Sequence, residues 1–401
     1  MAQPVTQEQL IQDPHPIYAK LREDAPVSPM QMMTFSGRGW VVTGYAEARE
    51  AFTHPALSRD GNKYFGALDT GLDERVRAAM NHHMLNSDPP DHTRLRRMVV
   101  KVFTARRIAA LAPRITEIAT ELLDAVKPGE PVDIIDAFGF PLPIRVICEL
   151  LGIPSRDQDA FREWSNVIVA GAFAGDKLPV AAKAMTDYIH ELLARKRTNP
   201  ADDLLSDLIA VRDEGDALTE DELTSMVFLL LIAGHETTVN LIGNGLYLLL
   251  THPDQLDRLR ADRDLVPSAI EEVLRYEGPL RSALPRFATA DLELGGVTIS
   301  HGDIVMISPL AANRDSDRFD DAETFDVGRG HTQHVAFGHG LHFCLGAPLA
   351  RLEGKIALEL ILERFGTLEL ATELDQLVWR PSGLMRGLAA LPVSVTLAAS
   401  R

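Results

Sequence analysis

Between Ser225 and Leu250 the chain reads SMVFLLLIAGHETTVNLIGNGLYLLL, apolar on nearly every side of a helix. A segment of that kind is either a membrane span or the central helix of a large core. His235, Glu236, Asn240 and Asn244 interrupt it, which argues against a span. A core helix remains, and it needs a fold large enough to enclose it. With 401 residues, 46% of them hydrophobic, the chain can build one. The polar group in the middle of the helix is then buried, and buried polar groups need partners or a task.

The rest of the chain organises around this helix. Ile115, Ile118, Leu122, Leu123 and Val126 recur at helical spacing, and similar stripes run through 185–195 and 255–275. Strand signals are few: GWVVTGY near residue 40, and LELGGVTIS followed by DIVMIS around 292–308. The expected fold is mainly α with a small β region (α+β). No Ser/Gly/Pro linker or internal repeat divides it, so one domain is expected over 1–401. The acidic stretch DEGDALTEDE at 213–222 reads as a solvated loop. Within it, Thr219 and Glu222 form a capping-box pattern that opens the long helix. A net charge of −17 weighs against nucleic acid as a partner. The polar, proline-punctuated start MAQPVTQEQLIQDPHP offers no apolar signal core or anchor, so a soluble cytoplasmic protein is expected, with no membrane partner.

Two cysteines are too few for a disulfide framework or a Cys-rich zinc site. Cys148 lies in the apolar run IRVICELLG and reads as a small core residue. Cys344 lies in Phe337-Gly-His-Gly340-Leu-His342-Phe-Cys344-Leu-Gly346. Glycines at 338, 340 and 346 let a loop fold tightly and approach a flat ligand. The following APLARLEGKIALELIL is a helical pattern, so the thiol stands at a helix N-terminus, where dipole and amides favour the thiolate. Those amides can tune a metal held by the sulfur. The bland alternative is a glycine-rich turn with an incidental cysteine.

The segment FGHGLHFCLG matches every fixed position of Phe-x-x-Gly-x-x-x-Cys-x-Gly, and here the sequence resembles the cytochrome P450 monooxygenases. Further family motifs follow in order from residue 88 to 346, and the likeness is to the soluble bacterial group. The resemblance implies a haem b (iron protoporphyrin IX), set between the long central helix and the cysteine loop, with Cys344 as its metal ligand. Phe337, Gly338, Gly346 and Ala233 would contact the cofactor. His92, Arg96, Arg286 and His342 would bind its propionates, since charge-assisted hydrogen bonds are the strong ones. In Ala233-Gly234-His235-Glu236-Thr237-Thr238, Thr237 would contact bound dioxygen, Glu236 would relay protons, and Gly234 would ease a local helix distortion. Glu272-Val-Leu-Arg275 matches the family's Glu-x-x-Arg, and Arg329 of FDVGR resembles a third partner in a structural network. Where the family usually has arginine just before this Phe-Asp, the chain has Thr324. Glu74 and Arg77 fit the same short pattern and are expected to be an ordinary surface pair.

The resemblance implies O2 insertion into a hydrophobic small molecule, a polyketide or macrolide, a steroid or a terpenoid. Leu229, Ala233, Leu284, Leu384 and Met385 would line the substrate pocket, with 61–87 and the helices of about 157–195 as its lid. No flavin or iron–sulfur motif is present, so electrons would come from a ferredoxin and its reductase. Between His92 and Thr116 six basic residues precede Arg114 with no acidic one among them. Arg97, Lys101 and Arg106 are the candidates for docking the acidic carrier. A haem-thiolate peroxygenase, dehydratase or isomerase would need no donor, and such members often lack the acid–alcohol pair. A non-catalytic haem or small-molecule binder would have no use for Glu236 and Thr237.

Overall fold

The computed structural model describes residues 5–398 apart from 7, 32–37, 61–71, 214–217 and 331–332. Helix dominates, with a small β region, and the lid stretch 61–71 lies outside the described residues. Residues group into two compact units: 1–57, 111–142 and 237–401 form one, 58–110 and 143–236 the other.

The first unit holds the main sheet, a second sheet of Phe365–Leu370, Pro392–Leu397 and Val132–Asp133, and a separate hairpin. Val27–Gln31 runs antiparallel to Gly39–Val42, pairing Val27 with Val42 and Met30 with Gly39. Gly39–Val42 runs parallel to Ile304–Ile307, which in turn pairs antiparallel with Arg286–Ala288 and sets Arg286 opposite Val305. The strands Leu292–Leu294 and Val297–Ile299 form a hairpin on Gly295 and Gly296, whose φ values of 55° and 79° explain the glycine pair. Val42, Leu294, Ile299, Val305 and Ile307 bury one face against Tyr45, Ala48 and Phe52 of the Tyr45–Thr53 helix.

The second core of this unit gathers Leu241, Leu248 and Leu249 of the central helix with Ile270, Val273, Leu358 and Leu362. The 255–275 stripe proves to be two helices, Pro253–Ala261 and Val266–Tyr276. Asp262 is extended between them, and its side chain accepts from Asp264 N–H. Pro267, in the first turn of the second helix, suits a new start because its missing N–H is not needed there.

The central helix spans Glu220–Thr251 without interruption. Thr219 and Glu222 cap each other's backbone N–H groups at 3.2 and 2.8 Å. Its length and hydropathy would suit a membrane span, yet 72% of its most apolar stretch is buried. It is a core helix.

In the second unit Lys177–Thr198 packs on Gln158–Ala170 and on Leu204–Asp213. Ala181, Met185, Ile189 and Leu193 line its buried stripe. The turn before it needs glycine at 171 and 175, where φ is 57° and 55°. Cys148 is fully buried, and desolvation pushes its thiol up to about 12. Gly234 has a packing reason: a Cβ there would lie 2.9 Å from the Ile147 side chain. No break or π-turn accompanies it, so the expected helix distortion gives way to close helix packing.

Glu272 accepts from Arg275 through both carboxylate oxygens at 2.8 Å and from Arg329 Nε at 3.0 Å. Arg275 also donates to the carbonyls of Asn313, Ala322 and Thr324. Thr324 supplies its carbonyl to both arginines, so the main chain acts at the position where the family usually has a guanidinium. Glu74, by contrast, is exposed. Arg275 and Glu272 are 0% and 1% exposed, so removing one leaves the other charge stranded. Arg275→Ala is expected to cost about 3–5 kcal/mol in urea denaturation. Arg329→Ala, at the partly exposed edge of the group, is expected to cost less.

Candidate active site

The first unit contributes the cysteine loop. Cys344 N–H donates to Phe337 O at 2.9 Å, and Phe343 N–H to Gly340 O at 3.0 Å, folding 337–344 back on itself. Gly338 and Gly340 both have φ of 73°, where a side chain would be strained. A Cβ on Gly340 would in addition lie 2.5 Å from Thr53 Cγ2. Gly346 is different: its φ is −78°, and a Cβ there would sit 3.8 Å from the Cys344 sulfur, an ordinary contact. Its place is the N-cap of the Ala347–Arg364 helix. Cys344 is exposed at the head of that helix, the orientation in which free amides favour a thiolate.

Phe337 is held from behind. Arg351 stacks on its ring at 4.5 Å and forms a bidentate pair with Glu271 at 2.6 and 2.9 Å. Burial would raise the Glu271 carboxyl, but Arg351 and His334 together bring it down to about 2. Arg286 is buried at its strand position, donates to Leu57 O at 3.5 Å and lies over the Phe52 ring. His342 is half-buried in the turn Gly340–His342.

Apolar segments of the same unit come together beside each other. Arg281 N–H donates to Leu384 O at 2.8 Å, and Leu280 bridges Met385. Leu284, Leu384 and Met385 are each partly accessible, within the stretches 283–285 and 383–385 that buried residues bound on both sides. Asn244 Nδ2 donates to the carbonyls of Glu277 and Arg386, and Asn240 Oδ1 accepts from Arg380 at 2.7 Å. These two asparagines thus clamp the loop carrying Leu384 and Met385. Thr237 is half-buried.

The second unit holds His92 and Arg96, four residues apart and so on one face of Asp91–Val102. Burial and then the Arg96 charge hold the His92 imidazole down to about 4. In the ligand-free chain His92 is therefore neutral near pH 7. Arg97, Lys101 and Arg106 are exposed, while Arg94 and Arg107 pair with Glu222 and Asp207.

Leu229 is half-buried and Ala233 exposed, along a stretch of the central helix otherwise largely enclosed. Glu236 is wholly buried. Its Oε1 lies 3.4 Å from Ser165 Oγ and 3.5 Å from His235 Nε2. Ser165 lies in no motif of the sequence, and His235, although inside the Ala233–Thr238 motif, has no partner that the sequence reveals.

The sequence profile of the family described as Cytochrome P450 matches residues 175–386. Cytochrome P450 107B1 of Saccharopolyspora erythraea is 48% identical, over 95% of this chain and 95% of its own length. The vitamin D(3) 25-hydroxylase of Pseudonocardia autotrophica is also 48% identical, covering 96% of this chain and 94% of itself. The tirandamycin C-bound P450 monooxygenase TamI superposes with a TM-score of 0.92 at 45% identity, over 98% of this chain and 100% of that one.

The depressed His92 titration generates a pH expectation for the ligand-free chain. The unfolded imidazole takes its proton near 6.5 and the folded one near 4, so the unfolded state binds more protons between those values. Stability therefore falls as pH drops through that window. His92→Gln is expected to flatten this part of the profile in urea denaturation; an unchanged slope contradicts the assignment.

Proposed function

The chain belongs to the cytochrome P450 family and is a monooxygenase; we propose that Cys344 would hold its haem iron through the thiolate and that Glu236 and Thr237 deliver protons to the reaction. The observation that carries the reading is the accessible Cys344 sulfur on its glycine-shaped loop. Cys344 would be a single protein ligand, which suits a metal that brings most of its ligands with it, as haem b does. Haem, when bound, would supply the oxygen chemistry, and a thiolate ligand from Cys344 would favour O–O cleavage.

The protein's own residues bind and orient. Phe337, Gly338 and Gly346 shape the surface beside the sulfur, and Ala233 leaves room on the central helix. His92, Arg96, Arg286 and His342 would serve the propionates as donors. Glu236 holds a proton in a buried site, and Thr237 Oγ passes it on as a hydroxyl can, accepting one while donating another. Glu272, Arg275 and Arg329 hold the backbone behind the loop.

The substrate is a hydrophobic small molecule, of the polyketide or macrolide, steroid or terpenoid kind, hydroxylated or epoxidised. Leu229, Ala233, Leu284, Leu384 and Met385 would meet it, and their apolar character supports this. The names of the similar proteins, which specify vitamin D(3) and tirandamycin C, support a small organic substrate as well. A ferredoxin and its reductase supply electrons in the cytoplasm, with exposed Arg97, Lys101 and Arg106 meeting the acidic carrier. The chain acts as one catalytic domain.

Cys344→Ser is expected to abolish the red-shifted Soret band of the reduced carbon monoxide complex; a persisting band overturns the ligand assignment. Thr237→Ala is expected to uncouple electron consumption from product and to raise peroxide release. Unchanged coupling would assign proton delivery to another group.

A further inference from the structure

Glu236 is not alone in its buried site. His235 is 1% exposed, and Glu236 and Ser165 are 0% exposed. His235 Nδ1 lies 2.6 Å from Leu231 O. A carbonyl only accepts, so Nδ1 carries the hydrogen, and in the neutral ring Nε2 is left with its lone pair. That Nε2 lies 3.1 Å from Ser165 Oγ and 3.5 Å from Glu236 Oε1. Ser165 Oγ is also 3.4 Å from Glu236 Oε1 and 3.2 Å from Arg162 O.

Adjacent residues on a helix do not face each other. His235 and Glu236 nevertheless meet, and Ser165 of the Gln158–Ala170 helix stands against both. The three groups can hold one proton in two arrangements. In one it sits on Glu236 Oε1 and His235 is neutral, with the Ser165 hydroxyl donating to Nε2. In the other Glu236 is a carboxylate and His235 an imidazolium, whose Nε2–H donates to Ser165 while Ser165 donates to Oε1. Passing between them moves the Oε1 proton to Ser165 Oγ and the Ser165 proton to Nε2. Net charge in the site is unchanged, so no unpaired charge is created in a place that could not solvate it.

We infer that His235 and Ser165 are positioning residues for proton delivery: they hold Glu236 Oε1 and share its proton between turnovers. This deepens the proposed function and rests on Glu236 being the proton donor. A histidine serving only as filler would need its bond to Leu231 and nothing more.

The test uses the haem-loaded enzyme with its electron donors, each variant first passing the reduced carbon monoxide spectrum. Product formed per electron pair is expected to fall about ten- to hundredfold in E236Q, H235F and S165A, the scale on which misplacing a reacting group acts. S165T, which keeps the hydroxyl, is expected to restore coupling, and H235F/E236Q to be no worse than E236Q. H235Q separates orientation from storage, since an amide can hold Ser165 but takes no proton; it is expected to recover only part of the coupling. A second readout is independent of turnover. The infrared H2O/D2O difference spectrum should contain a carboxyl C=O stretch that E236Q removes, that H235F and S165A shift, and that S165T leaves in place. Lost coupling in E236Q with coupling and band unchanged in H235F and S165A overturns this inference alone. Intact coupling in E236Q overturns the reading beneath it, and the inference with it.

Discussion

A carboxylate buried to 1% exposure persists only if its charge is met, and Glu272 is met by two guanidinium groups. From there the hydrogen bonds run on toward the cysteine. Arg275 donates to the Asn313 carbonyl, the Asn313 side chain accepts from Val335 N–H, and Val335 O accepts from Gly338 N–H. Phe337, between those last two residues, accepts from Cys344 N–H. The neighbouring Glu271 holds the same loop from both sides, through His334 before it and Arg351 after it. Two consecutive acids on the Val266–Tyr276 helix thus fix where the sulfur stands. A loop rich in glycine would otherwise have many conformations to lose on folding.

Polar groups elsewhere in the core follow the same rule. Asn240 and Asn244 look like defects in an apolar helix, yet they anchor the chain near Leu384 and Met385. Glu236 has Ser165 and His235. Among the polar groups the apolar helix buries are asparagines that anchor a neighbouring loop and an acid that meets Ser165 and His235.

The fold was legible where a local rule acts alone. Thr219 and Glu222 cap the central helix as their spacing requires, and the Gly295-Gly296 pair turns the hairpin. The cysteine loop was legible because three constraints, φ at 338 and 340 and the helix start after 346, fall within ten residues. Features set by distant contacts were not. The stripe over 255–275 hides the break at Asp262, because periodicity survives a short extended residue. Gly234 was explained by helix distortion, and only the Ile147 side chain shows that packing demands it. The titration of His92 is set by burial and by Arg96, and burial is not written in its local sequence. Ser165 lies seventy-one residues from Glu236, beyond the reach of any spacing argument.

The claim that joins these parts is that the site activates dioxygen and places one of its atoms in an organic substrate. Turnover of a hydrophobic substrate under 18O2, with ferredoxin, reductase and NAD(P)H, tests it most directly. The account predicts one 18O atom in each product molecule and none when the label is carried by water. Product whose new oxygen comes from water, or product formed at an equal rate without the electron donors, would contradict it.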